Sequence, residues 1–245
     1  MGRPVGSKRM QQTETTTLFC IPHAGGNGTC YALFGEFFPN SVRVVPLDLP
    51  GKGRRCREQR LVCMEAMGRD LLEQMRPTAH TGPYAIFGHS MGGLLAFECA
   101  RQAHKIALPL PRALFISAAA TPDKVRTGMD RPVSELQPGE LWEYVIRMGG
   151  TPPGVALSAD LKRYMEPLLV ADFSALESWR PAPCDPLPVA IHACIGMDDT
   201  VTEKEGRQWQ QYSSMAGTVR SFSGGHFYIQ HHWRELAEHI TQTLS

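Results

Sequence analysis

Tyr84-Ala85-Ile86-Phe87-Gly88-His89-Ser90-Met91-Gly92-Gly93-Leu94-Leu95-Ala96-Phe97-Glu98-Cys99-Ala100 is an apolar run, a glycine-bounded turn and a second apolar run. Residues 84–87 have the length and character of a buried strand, and residues 93–100 read as a helix. Gly-x-Ser-x-Gly alone recurs by chance in unrelated chains. Between a strand and a helix it describes a sharp bend with a serine at its apex. Glycine on each side of Ser90 removes Cβ atoms that would block such a bend. The plainer reading, a serine that only caps the helix, leaves the partners described below without a role.

Outward from this turn, strand and helix patterns alternate. Residues 18–21 and 42–47 read as strands, with a helix-like segment over 31–38 between them. Met64, Met67, Gly68, Leu71, Leu72 and Met75 fall at helical spacing as one apolar stripe. A strand over 113–117 follows the central helix. After a long interruption come a strand over 189–194, a helix near 203–212, a strand over 218–222 and a last helix. That helix carries Trp233, Leu236, Ala237, Ile240 and Leu244 on one side. Thr202 and Glu205 form a capping box. The alternation predicts an α/β fold, a mostly parallel sheet with helices on both faces.

The interruption, about 121–188, begins and ends in proline-bearing segments. It holds helical stretches at 140–148, stopped by Gly149-Gly150, and near 159–176, with a kink expected at Pro167. A pair of crossover helices would make the connection but does not explain its length, so a helical lid insertion is expected. Trp142, Met148, Met165 and Phe173 are candidates for lining a chamber there, although their spacing suits ordinary packing equally well. Residues 1–17 are polar and lack the apolar stretch of a signal peptide. They are expected to be a disordered tail before one domain over 18–245.

A chain of 245 residues can bury a substantial core. Its formal net charge of +1 makes no electrostatic case for nucleic acid or a membrane surface, and no run approaches the length of a membrane span. Seven cysteines without a Cys-x-x-Cys pair read as reduced thiols of a cytoplasmic protein. No metal site is expected.

A serine hydroxyl needs a base to become nucleophilic, and the base needs a third group to fix its tautomer. His226 follows a strand directly, in Ser223-Gly224-Gly225-His226-Phe227, at the carboxyl edge of the sheet. His104 and His239 lie on helices, and His192 lies within a strand. For the acid, Gly196-Met197-Asp198-Asp199 offers two aspartates at the same edge. Asp199 is preferred because its spacing carries the carboxylate past the turn towards His226, leaving Asp198 as a turn residue. The chain order Ser, Asp, His is that of the α/β-hydrolases. An oxyanion needs two backbone donors. Met91 N–H at a helix N-terminus is one; the other is assigned to Ala24 in Pro22-His23-Ala24-Gly25-Gly26, with Gly25 the adjacent alternative. No Gly-Lys-Ser/Thr follows that loop, so a phosphate cradle is excluded.

Together these stretches resemble the type II thioesterases of nonribosomal peptide and polyketide synthesis. The resemblance rests on Phe19-Cys20-Ile21-Pro22-His23-Ala24-Gly25-Gly26, Pro50-Gly51-Lys52-Gly53-Arg54-Arg55, residues 87–93, and Gly224-Gly225-His226-Phe227. Gly149-Gly150-Thr151-Pro152 and Ala171-Asp172-Phe173 resemble lid landmarks of that family. Lys52 and Val170 stand where arginine is usual. The resemblance implies a hydrolase of acyl or aminoacyl thioesters held by an acyl or peptidyl carrier protein, and a monomer is the default expectation for so compact a hydrolase. It would serve editing or product release and need no cofactor, because the 4'-phosphopantetheine belongs to the substrate. His23, Gly25 and His89 are candidates for contacting substrate. The basic stretch Lys52, Arg54, Arg55, Arg57 and Arg60 is either a solvated loop or a carrier-docking surface, with Arg54 and Arg55 its docking candidates. A serine esterase or acyltransferase on diffusible esters or acyl-coenzyme A would use the same three residues. A noncatalytic scaffold that binds a synthetase would need none of them.

Overall fold

The computed structural model describes residues 14–125, 131–137, 139–151, 154 and 158–245. Six strands form one sheet: β1 (Thr16–Ile21), β2 (Val42–Pro46), β3 (Tyr84–His89), β4 (Ala113–Ser117), β5 (Ala190–Gly196) and β6 (Val219–Phe222). Their order is β2-β1-β3-β4-β5-β6, with the five pairings between these strands all parallel. The helices are α1 (Met64–Ala79), α2 (Met91–Lys105), α3 (Glu140–Arg147), α4 (Ala159–Ser178), α5 (Glu203–Gln208) and α6 (Trp233–Leu244). This is the expected α/β-hydrolase architecture.

Successive side chains of a strand point to opposite faces, so each central strand feeds two cores. Phe19, Ile21, Tyr84, Ile86, Leu114 and Ile116 pack with α1 and α2 on one side. Leu18, Cys20, Ala85, Phe87, Ala113 and Phe115 pack on the other with Tyr31, Phe34 and the apolar side of α6. The chain leaves β1 for β2 and returns across β1 to β3, then advances in one direction. At such a reversal the loops after β1 and β3 diverge, and a crevice opens at the carboxyl edge of the sheet.

Local differences from the sequence reading have physical causes. β1 begins at Thr16, because the amides of Thr16 and Thr17 bond to Ser41 O and Pro83 O. Residues 1–13 of the expected tail lie outside the described residues. The segment 31–38 is not an α-helix: two 3-10 turns occupy Gly28–Tyr31 and Phe34–Phe37. Tyr31, Phe34 and Phe37 recur every third residue, which suits three residues per turn. α5 likewise passes into a 3-10 turn at Trp209–Tyr212.

Between β4 and β5, α3 and α4 build a third, smaller cluster from Val133, Leu141, Trp142, Leu169 and Phe173, which packs against Ala24. α4 runs unbroken through Pro167. Its far end belongs to the main core through Ala175 and Leu176, with Trp179 just beyond it. The insertion is thus anchored at one end and rests on the loop after β1. No helix among the described residues is long and apolar enough to cross a membrane.

Candidate active site

Ser90 sits between β3 and α2 with φ +56°, a left-handed conformation costing about 1–3 kcal/mol for a residue with a side chain. Its amide donates to Ser117 O at 2.7 Å and its carbonyl accepts from Gly93 N–H at 2.9 Å. The neighbouring glycines are required by contact: a Cβ at Gly88 would stand 2.0 Å from Gly92 O. The strain lifts the Ser90 hydroxyl above the carboxyl edge of the sheet.

The two other chemical groups arrive from loops after β5 and β6. Gly196 ends β5 where a Cβ would stand 2.4 Å from Gly225 O, so the two loops close on each other. Met197 N–H bonds Phe222 O at 2.8 Å and Asp198 N–H bonds Gly224 O at 3.0 Å, stitching them together. His226 Nε2 consequently lies 3.0 Å from Ser90 Oγ. Its Nδ1 lies 3.1 and 3.0 Å from the two carboxylate oxygens of Asp199. Asp199 Oδ1 also accepts from Thr200 N–H at 2.7 Å. Between the two aspartates the structure is unambiguous in placement: the Asp199 side chain is buried beside the imidazole, and Asp198 is exposed.

A carboxylate accepts hydrogen bonds only, so Nδ1 carries the proton and Nε2 is left to take one from Ser90. The loop after β1 brings a free donor to the same place. His23 O accepts from Gly26 N–H at 2.9 Å, the His23 ring Nδ1 bonds Ala24 O at 2.9 Å, and Gly25 N–H donates to Asp172 Oδ2 at 2.6 Å. Gly25 is therefore committed elsewhere, whereas the Ala24 amide bonds no acceptor in the described structure. Met91 opens α2, where the first amides have no partner within the helix. Both amides belong to residues lining a pocket of about 240 Å³ that also holds Ser90 and His226. Its walls include Leu94, Ala119, Ala120, Met148, Phe173 and Leu176, with Tyr144, Lys124, Thr200 and Glu205 supplying polar atoms.

Some sequence expectations do not fit this arrangement. His23, Gly25 and His89 do not line the pocket. His89 is fully buried behind the imidazole; its Nδ1 meets Ser117 Oγ at 2.8 Å, which meets Tyr228 OH at 2.7 Å. Burial, with His226 and His23 nearby, holds His89 well below the usual histidine range. Among the basic residues, Arg55 is bound to Asp70 at 2.5 Å and to Glu58 at 2.7 Å, its side chain 24% exposed. Lys52 is buried in an ion pair with Asp172. Neither offers a free charge to a partner. Arg54 does stand out, 82% exposed, with its guanidinium donating to Asp48 Oδ2 at 3.2 Å and Pro46 O at 3.4 Å. Of the lid candidates, Met148 and Phe173 reach the pocket, while Trp142 packs in the insertion cluster and Met165 against it.

The Lys52–Asp172–Gly25 link was not foreseen from the sequence. Its signal was present: Asp172 is a lone acid inside the apolar run Leu168-Leu169-Val170-Ala171-Asp172-Phe173, where an unpaired charge would not be tolerated.

The family model for the thioesterase domain matches residues 16–244. The thioesterase PikA5 of Streptomyces venezuelae is 30% identical over 231 residues, 93% of this chain and 80% of that protein. The gramicidin S biosynthesis protein GrsT of Aneurinibacillus migulanus is also 30% identical, covering 93% and 88%. Among solved structures, RedJ, a thioesterase from the prodiginine biosynthetic pathway in Streptomyces coelicolor, superposes with a TM-score of 0.86 at 30% identity, covering 98% and 96%. The type II thioesterase BorB from the borrelidin biosynthetic cluster gives 0.84 at 33% identity, covering 99% and 96%.

Proposed function

The chain belongs to the thioesterase domain family, and from that membership we propose that it cleaves acyl or aminoacyl thioesters from the phosphopantetheine arm of a carrier protein. The setting is editing or product release in nonribosomal peptide or polyketide synthesis. Relatives named for gramicidin S biosynthesis and the prodiginine pathway support that setting. One observation carries the chemistry: the continuous contact of Ser90 Oγ, His226 and Asp199 at the mouth of a largely apolar pocket.

Ser90 Oγ attacks the thioester carbonyl as His226 Nε2 takes its proton. The carbonyl oxygen becomes an oxyanion held by the amides of Ala24 and Met91, and the α2 dipole adds to that attraction. Asp199 keeps the imidazole in the productive tautomer and balances the charge it gains. Collapse expels the pantetheine sulfur, a good leaving group because a thiol titrates near about 8.5, and the thiolate takes the proton from the His226 imidazolium and departs as thiol. Water, deprotonated by the now neutral His226, then attacks the acyl-serine, and His226 returns that proton to Ser90 Oγ as the acid leaves. The helical insertion serves as a lid that excludes bulk water while the acyl chain occupies the pocket.

A panel of acylated carrier proteins followed by intact mass tests this reading. Deacylation by the wild type and its loss in Ser90→Ala are expected. A kcat/KM for acyl-carrier no better than for acyl-coenzyme A or nitrophenyl esters would overturn the carrier assignment.

A further inference from the structure

The geometry points to Asp172 and Lys52 as positioning residues for the oxyanion donor, so that the helical insertion is itself part of the catalytic frame. The inference rests on the reaction proposed above. Two consecutive peptide units carry Ala24. In the first, His23 O accepts from Gly26 N–H. In the second, Ala24 O is held by the His23 ring and Gly25 N–H by Asp172 Oδ2. Every polar atom of these two units is tied except the Ala24 amide, which is thereby left directed by its neighbours.

Only one of those ties comes from outside the loop. Asp172 lies on α4, 147 positions away in the chain, and is 1% exposed. Leu169 and Met165 of the same helix close over Gly25, where a Cβ would stand 2.6 Å from Leu169 Cδ2 and 3.1 Å from Met165 Cε. Gly25 has φ +75°. The absent side chain allows α4 to sit directly on the loop it orients.

Lys52 completes the device electrostatically. A bare carboxylate this close to the Ala24 donor would repel the negative charge that develops on the carbonyl oxygen, strongly so in a site shielded from water. The Lys52 ammonium, itself buried, donates to the same Oδ2 that accepts from Gly25 N–H and so cancels that charge at the oxygen that holds the loop. When α4 leaves its seat, the loop loses its outside tie, so the hole is assembled only with the insertion in place.

Two double variants separate aiming from structural support, since both remove the ion pair. Lys52→Met/Asp172→Asn retains an oxygen that can accept from Gly25; Lys52→Met/Asp172→Leu does not. The first is expected to keep kcat within about threefold, and the second to lose about 10- to 30-fold in kcat with KM little changed, a part of what losing a whole oxyanion donor costs. Fluorophosphonate labelling of Ser90, whose adduct places an oxygen at the same donors, should slow in parallel. Equal kcat and labelling rates in two folded doubles would overturn the positioning role. Should the leucine double fail to fold, Asp172→Glu, which keeps the charge but lengthens the arm, takes its place; a normal kcat there overturns the role equally. A wild type that neither hydrolyses thioesters nor labels would instead sink the proposed function.

Discussion

Gly92 lies against Ile21 so closely that a Cβ atom on the glycine would stand 2.1 Å from the Ile21 carbonyl oxygen. The first turn of α2 is therefore pressed onto the end of β1, and Met91 and Ala24 line the same pocket as Ser90. Gly92→Ala must push backbone from backbone. We expect a loss of about 3 kcal/mol in a denaturant titration, with activity lost in whatever protein remains folded.

The two aspartates after β5 differ in burial and partners, and their variants should differ accordingly. Asp199→Asn is expected to lower kcat by about 10⁴-fold, since the imidazole loses its orienting acceptor. Asp198→Asn should stay within about twofold of wild type, because its side chain faces solvent. Steady-state kinetics on one acyl-thioester substrate decides it; comparable losses in both variants would refute the assignment.

Ala120 lines the pocket, and a larger side chain there shortens the space for an acyl chain. Ala120→Trp should reduce kcat/KM for octanoyl thioester by more than about tenfold while changing acetyl thioester by less than about threefold, as expected when several methylenes lose their pocket. Parallel losses for both substrates would place the acyl chain elsewhere.

Two buried histidines and one half-buried predict how stability depends on pH. Burial lowers His89 and His192, and burial together with Arg220 and His192 brings His239 down to about 4. In the unfolded chain a histidine titrates near about 6.5. Between these values the unfolded state binds protons that the folded state refuses, so stability is full above about pH 6.5 and falls as pH drops towards 4. Melting temperatures at pH 7.5, 5.5 and 4.5 should decline in that order. His239→Gln should flatten the slope; an unchanged slope in that variant would show that His239 does not contribute.

Arg54 and Arg55 are adjacent in sequence but differ in what holds them. Arg54→Glu should weaken turnover of carrier-bound substrate by about three- to tenfold while sparing a free thioester, the pattern of a lost encounter contact. Arg55→Glu should lower the melting temperature instead, because it places a third carboxylate beside Glu58 and Asp70. Equal effects of Arg54→Glu on both substrates would end its docking role.

Strand and helix alternation, the bend at Ser90 and the loop positions of His226 and Asp199 were legible in the chain, because each depends on neighbours within a few residues. Periodicity marks a buried strand or a helix stripe wherever it occurs, and glycine marks a bend that admits no Cβ. Tyr31, Phe34 and Phe37 were misread as part of an α-helix because three-residue and 3.6-residue periods barely differ over two turns.

The commitment of the Gly25 amide and the inward pairing of Arg55 were decided only by the fold. So was the union of Asp172 with Lys52 and Gly25, 120 and 147 positions apart. Local sequence sets which groups are available and roughly where each segment turns. Which donor finds which acceptor depends on the separation of loops from different strands, and that distance exists only once the sheet has assembled and the insertion has closed over it.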